Sequence, residues 1–339
     1  MRWFFYHSGM KTTAIFLGIF VYAATIFPAE IKVGIIGLDT SHVIAFTQLL
    51  NDTNNPQYIP GARVVCAFKG GSPDVEASAS RIEGFTKQIQ EKFGIPIVAS
   101  IEELCKQVDA VMIESVDGRK HLEQAIPVFQ HKKPVFIDKP LAGSLRDALE
   151  IWRLSRKHSV PVFSSSAYRF YESLAEVRTN NVGEIRSVIS WGPAYLEPHH
   201  PDLYWYGVHP TEALFTILGR GCIAVSRIST KNSEIVSAEW QNGKTATLIG
   251  LRDSSAGHRV IVLGSKGVAE QKGSGNYAPL VREIVKFFQT GKPPISLEET
   301  VEIMAFMEAA DESKRQNGAK ITIKDILIKN NGADFPLQN

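Results

Sequence analysis

Cysteine is scarce in this chain of 339 residues: Cys66, Cys105 and Cys222 are the only thiols, and no two form a C-x-x-C pair. No metal or redox framework follows from them, and an odd number leaves at least one free or paired between chains. Cys66 and Cys105 fall in apolar segments, so they read as small buried hydrophobes. Charge of neither sign is in excess, since 37 Lys and Arg stand against 35 Asp and Glu without gathering in a stripe or tail. A nucleic-acid partner is therefore not expected. Internal repeats and low-complexity tracts are absent, and 44% hydrophobic with 21% charged residues is ordinary globular composition. That excludes a fibrous or largely disordered chain.

No apolar run reaches the roughly 20 residues that a membrane-spanning helix needs. The run from Thr12 to Phe27 is shorter, follows Arg2, His7 and Lys11, and is interrupted and followed by small residues. It reads as a signal peptide over residues 1–29, with Ala23 or Ala29 as the cleavage position and Met1 or Met10 as the start. An uncleaved membrane anchor is the alternative. The lack of an Arg-Arg pair and of a cysteine near the cleavage positions argues against twin-arginine export and lipid attachment. The expectation is an exported protein, periplasmic or extracellular, without membrane contact after cleavage.

What is present is a change of texture near residue 166. From Ile31 to Ser166 short apolar runs alternate with amphipathic stretches of helix length, the pattern of βα units around a parallel sheet. Strands are predicted over Ile31–Leu38, Ala62–Phe68, Pro96–Val98, Ala110–Glu114, Pro134–Ile137 and Val160–Ser164. Helices are predicted over Ser41–Leu50, Glu76–Lys92, Ile101–Gln107, His121–His131 and Ser144–His158. Beyond Tyr168 longer alternating stretches appear, among them Ser187–Trp191, Ile223–Ser229, Ile235–Trp240, Thr245–Leu251 and Arg259–Leu263. Turns at Asn242-Gly243 and Ser265-Lys266-Gly267 mark hairpins, so these strands read as antiparallel. Helices at Thr211–Leu218, Leu280–Gln289 and Ser296–Gln316 complete this half. The fold expected is an α/β Rossmann-like domain with a parallel sheet at 30–166, then an α+β domain with a mainly antiparallel open sheet at 167–325. Residues 326–339 form a tail with no readable role.

The first strand ends in Gly34-Ile35-Ile36-Gly37-Leu38-Asp39-Thr40-Ser41-His42, the place of a dinucleotide phosphate loop. If Gly37 is the first glycine of G-x-G-x-x-G, Asp39 and His42 stand where the second and third belong. A carboxylate at the second position is expected to oppose the phosphates and weaken their binding. As a helix start, Asp39 or Thr40 also serves as a cap. After the second strand no acid is available for the ribose; Lys69 and Ser72 could hold a 2'-phosphate, which leans toward NADP over NAD.

A sharper signal is the buried strand that runs into Asp138-Lys139-Pro140. This resembles the Glu-Lys-Pro hallmark of the Gfo/Idh/MocA oxidoreductase family, one methylene shorter. Other landmarks follow in order: the strand at Val108–Ile113, His121 opening the next helix, Arg169-Phe170, Gly183-Glu184-Ile185, and Gly207-Val208-His209 before the second-domain helix. Val116-Asp117-Gly118 replaces the family's Thr-Pro-Asn, and Trp205 stands where the family has an aspartate.

The resemblance implies a lysine, Lys139, between nicotinamide and substrate hydroxyl, and an acid or base, His209; an imidazole titrates near neutrality and suits that task. It implies cofactor contacts at Gly37, Asp39, Thr40, Ser41, His42, Lys69, Ser115, His121, Asp138, Lys139 and Pro140, with NAD or NADP as cofactor. It also implies pairing of copies through the second-domain sheet. By the same resemblance Arg169 and His209 are candidate substrate contacts, and His199, His200, Tyr204 and Tyr206 join them because the segment Glu197–Tyr206 brings aromatic faces and hydrogen-bonding groups together, as a sugar site requires. His199, His200, Asp202 and His209 match no strong metal motif, so no metal is expected there. The leading function is hydride transfer at a hydroxyl-bearing carbon of a sugar, cyclitol or related polyol. An NAD-dependent glycosidase of the same fold, or an exported carbohydrate-binding protein without dinucleotide, remain the alternatives.

Overall fold

The computed structural model describes residues 30–253 and 255–338, together with Met1, Trp3 and Phe4. The rest of the leader, with its cleavage positions, falls outside them. Among the described residues no helix is long and apolar enough to cross a membrane.

The first half forms six parallel strands: β1 (Ile31–Ile36), β2 (Ala62–Phe68), β3 (Ile97–Val98), β4 (Ala110–Ile113), β5 (Val135–Asp138) and β6 (Val162–Ser165). They lie in the order β3-β2-β1-β4-β5-β6. Strands β4, β5 and β6 are buried at every residue. That is why they read as unbroken apolar runs: helices cover both faces. The connecting helices are α1 (Ser41–Asn51), α2 (Glu76–Ala79), α3 (Ile82–Phe93), α4 (Ile101–Gln107), α5 (His121–Gln130) and α6 (Leu145–His158). Side-chain caps start several: Thr40 accepts from the His42 amide, Ser100 from Glu103 and Ser144 from Asp147. The single helix expected over Glu76–Lys92 is two, divided at Ser80–Arg81, and that break brings Arg81 to the cleft.

The second half forms β7 (Ile185–Pro193), β8 (Cys222–Ser229), β9 (Ser233–Trp240), β10 (Thr245–Leu251), β11 (Arg259–Gly264), β12 (Val268–Glu270) and β13 (Ile321–Thr322), in the order β12-β11-β7-β10-β9-β8-β13. The expected hairpins at Asn242-Gly243 and Ser265–Gly267 join β9 to β10 and β11 to β12. One expectation fails: β7 and β10 pair in parallel, Thr245 opposite Ser187 through Leu251 opposite Pro193. The two strands are far apart in sequence, so alternation alone did not constrain their direction. On β9 buried and exposed residues alternate, leaving one face of the sheet open.

The helices of this half are α7 (Glu172–Thr179), α8 (Val208–Leu218), α9 (Ala278–Thr290), α10 (Leu297–Arg315) and α11 (Ile323–Lys329). Two of them serve the first half. Leu280, Val281, Ile284 and Phe287 of α9 enter the core that α1 and α3 make with the first sheet, and α10 packs on α6 as well as on β8. The chain after the second sheet thus returns to tie the halves together. The tail is not featureless, because Ile326, Leu327 and Phe335 are buried in the main core. All three cysteines are free and buried.

Candidate active site

The strand order reverses between β1 and β4, and a crevice opens there at the carboxyl ends of the parallel strands. It is a cleft of about 360 Å³ between the halves, walled by the start of α1, the turn after β5, the start of α8 and the residues around Tyr168, Tyr277 and His258.

Gly37 begins this geometry. Its φ is +89°, and a Cβ there would stand 2.2 Å from the Ser115 hydroxyl, so only glycine lets β1 turn against the loop after β4. Asp39 follows with a carboxylate that points inward. Oδ1 accepts from the Val116 amide at 2.9 Å and Oδ2 from the Ser78 hydroxyl at 2.6 Å, and the residue is wholly buried. Burial pushes its carboxyl above the usual range, although both hydrogen bonds and Arg81 pull it down. The expected conflict with bound phosphates is not built: the carboxylate ties its own loop to α2 and to the loop after β4. Thr40 caps α1, whose first amides face the cleft with Ser41, and Arg81 lines the same space.

His42 extends toward β5, where Nδ1 lies 2.7 Å from Asp138 Oδ2. Asp138 Oδ1 accepts from the Lys139 amide at 2.8 Å. Burial alone would raise the Asp138 carboxyl, but His42 and Lys139 outweigh it and hold it below its usual value. Beside this pair sits Glu114, wholly buried at the end of β4, and neither carboxylate oxygen has a hydrogen-bond partner. Burial first, and Asp138 second, push its carboxyl well above the ordinary range. The Lys139-Pro140 bond is cis, and the Lys139 ammonium lies 5.9 Å above the Tyr206 ring.

Across the cleft His209 starts α8 with Nδ1 2.7 Å from the Ser166 hydroxyl. Its Nε2 has no hydrogen-bond partner among the described residues. Burial, then the charges of Lys139, His258 and His42, hold the imidazole well below its usual pKa, so it is neutral near pH 7. His258 packs edge-on against it, ring centres 5.2 Å apart, and burial takes its own pKa down to about 4.

Residues 31–166 match the model of an oxidoreductase family with an NAD-binding Rossmann fold, Gfo/Idh/MocA. The match spans the first domain. No curated protein matches the sequence. Among solved structures, a probable dehydrogenase from Thermotoga maritima superposes with a TM-score of 0.70 at 18% identity, covering 87% of this chain and 99% of its own. The scyllo-inositol dehydrogenase of Lactobacillus casei with bound NAD(H) and scyllo-inositol gives 0.72 at 14%, covering 87% and 99%. An oxidoreductase from Agrobacterium radiobacter in complex with NAD⁺, L-tartaric acid and magnesium gives 0.71 at 16%, covering 88% and 100%. The likeness thus extends through the second domain as a likeness of fold.

The cleft gathers Thr40, Ser41, His42, Lys139, Tyr206 and His209 as the sequence led one to expect. Three cofactor candidates act behind it. His121 is buried with Nε2 2.8 Å from the Ser115 carbonyl and Nδ1 2.9 Å from that of Pro140, bracing both loops. The Ser115 hydroxyl donates to Gln124 at 3.0 Å, and Pro140 directs the Lys139 backbone. Lys69 is engaged by Glu83 at 2.6 Å, while Ser72 is buried.

Four substrate candidates do not line the cleft. Arg169 is buried between Glu212 and Glu299, each 2.7 Å away, and is an internal ion-pair centre. Tyr204 is wholly buried, its hydroxyl donating to Glu308 at 3.2 Å. His200 lies with Nε2 3.0 Å from Asp117 and Nδ1 2.8 Å from Glu197, a tie between the second-domain segment and the loop after β4. His199 joins Glu197 at 2.9 Å on the outer side of that tie. For Arg169, Tyr204 and His200 a buried polar group needed a partner in the fold, and found one away from the cleft; His199 is exposed. The site residues that sequence reasoning missed are Glu114, Arg81, His258, Tyr171 and Tyr277. Only Glu114 left a trace, a carboxylate closing an otherwise apolar strand; the rest reach the cleft through tertiary packing.

Proposed function

We propose that the chain is an NAD(P)-dependent oxidoreductase acting on a hydroxyl-bearing carbon of a sugar, cyclitol or related polyol. The observation that carries this reading is the meeting of Lys139, Tyr206 and a neutral His209 in one cleft at the switch point of a Gfo/Idh/MocA domain. The residues present suit a dinucleotide: the α1 amides behind Thr40 and the Arg81 guanidinium would receive the pyrophosphate, and Asp39 keeps its carboxylate turned inward. When bound, the dinucleotide supplies the hydride acceptor or donor. His209 takes the hydroxyl proton at Nε2 while Ser166 fixes the ring through Nδ1. Lys139, held by Asp138 and the Tyr206 face, orients the reacting oxygen.

Lys69 is paired with Glu83, so in this reading Arg81 at the pyrophosphate is the cation that meets the dinucleotide's phosphates. Export through the leader and pairing of two copies by the open sheet, where Ile228 and Ile235 stand opposite and exposed, belong to the same proposal. N-terminal sequencing and light scattering test these two parts.

The deciding experiment is turnover across a polyol panel with each cofactor. Lys139→Met and His209→Ala should each lower turnover roughly 10²- to 10⁴-fold with little change in ligand affinity, and the double variant should lose far less than the product of the two. Turnover within a few fold of the parent in both would remove the reading. A second reading, a sugar-binding protein that has lost its dinucleotide, is favoured by the His42 ring, which stands where the family's third glycine belongs and packs against Tyr277 at 4.8 Å. Mass spectrometry of small molecules released from the native protein separates the two.

A further inference from the structure

Among the described residues, one group of side chains brings three metal-binding atoms together. Nδ1 or Nε2 of His42, a Glu114 oxygen and an Asp138 oxygen all lie within 4.8 Å of one another. Donor atoms about 2.0–2.2 Å from a common ion stand roughly 3–4 Å apart, so the set closes on an ion with a small adjustment of side chains. We propose that His42, Glu114 and Asp138 bind one divalent first-row cation of the Mn²⁺-to-Zn²⁺ type at the floor of the cleft.

The independent support is Glu114. It is 0% exposed, and both of its oxygens lack a hydrogen-bond partner. Buried carboxylates otherwise pair with a donor or a cation. The groups facing it are Asp138, a second carboxylate, His42, and Lys139, whose ammonium is set over the Tyr206 ring and makes no ion pair with either acid. The donor set specifies the ion class. One imidazole and two carboxylates, without sulfur, disfavour Cu(I), and three protein ligands fall short of the six to eight oxygens that Ca²⁺ takes. Three ligands also leave positions open to water or a ligand oxygen, as in catalytic and not structural centres. His42 lines the cleft, so an ion reaches the group from there. A cation at this place would draw a hydroxyl or keto oxygen of the bound ligand toward Lys139. The site stands or falls without reference to the dinucleotide, because its three ligands come from the protein.

The test is calorimetric titration of chelator-stripped, full-length protein with ZnCl₂ and, separately, MnCl₂. One ion per chain is expected. Glu114→Gln, which keeps the shape, should weaken binding roughly 100-fold, and His42→Gln should do likewise. The outer group of exposed Asp74 and His199 with half-buried Glu197 is the competing place for an adventitious ion, and His199→Ala should leave the stoichiometry and affinity unchanged. Melting curves of each variant show that it is folded. Failure of both ions to bind at one per chain, or parental affinity in Glu114→Gln, overturns the proposal and makes Glu114 a protonated acid. Loss of binding in His199→Ala alone overturns it equally, by moving the ion to the outer group.

Discussion

Replacing Asp39 by glycine, the residue that a complete phosphate loop would carry, should weaken the protein and leave dinucleotide affinity no better. The wholly buried carboxylate accepts from the Val116 amide and the Ser78 hydroxyl. Each donor left buried and unpaired costs about 1–3 kcal/mol, so the two together come to roughly 2–6 kcal/mol. Added chain freedom from glycine contributes up to about 1 kcal/mol in the same direction. Against this runs desolvation: the Asp39 carboxyl is raised above its ordinary value, so at neutral pH its charge is a net burden on the fold. Asp39→Asn removes that burden, keeps one acceptor, and should therefore stay within about 1.5 kcal/mol of the parent, the net worth of one hydrogen bond. Urea denaturation of the three proteins at pH 7 reads the stabilities, and calorimetry with NAD and NADP reads the affinities. Asp39→Gly as stable as the parent and binding dinucleotide more tightly would refute the reasoning, since it would mean that the carboxylate faces the phosphates.

Arg169→Met should cost about 3–5 kcal/mol in denaturant unfolding, because it leaves Glu212 and Glu299 buried without their shared cation; ligand affinity of the folded fraction should not change, and a selective loss of affinity would restore Arg169 to the substrate site. At Asp117 burial pushes the carboxyl up, but hydrogen bonds from His200 and Arg119 hold it well below its ordinary 3.8. The stability it confers is therefore present above that value and lost as pH falls below it, and acid melts of Asp117→Asn should show a flatter decline. His258 runs on a different window: with its pKa lowered from 6.5 to about 4, the folded state binds fewer protons than the unfolded chain, so stability falls as pH drops from 6.5 toward 4. Thermal melts of His258→Gln across that range should show less dependence on pH, and an unchanged slope would place the titration elsewhere.

Local physics made much of the architecture legible. Helix α4 occupies the predicted Ile101–Gln107, and α6 begins one residue after its Ser144 cap, because caps and amphipathic spacing act within a turn or two. The unbroken apolar strands betrayed a sheet covered on both faces, and Asp138-Lys139-Pro140 marked the cleft, since an acid and a lysine at the end of a buried strand have few other uses. The parallel pairing of β7 with β10 and the return of α9 to the first core were not legible, because both depend on contacts between residues distant in the chain. The site divides along the same line.

His42, Lys139, Tyr206 and His209 sit beside turns or helix starts that the sequence announces, and all four reach the cleft. His199, His200 and Tyr204 carry the same chemical groups in an equally suggestive segment, and Arg169 stands at an equally suggestive turn, yet Glu197 and Asp117, Glu308, and Glu212 and Glu299 claim them. The sequence by itself determined the strand and helix periods, the position of the switch-point loop and the kinds of groups available to it. Which way Asp39 turns, which histidines face the ligand, and that Glu114 lies unpaired beside Asp138 were decided only by the tertiary structure, because a polar side chain satisfies itself with the nearest partner in space and spacing along the chain does not encode that distance.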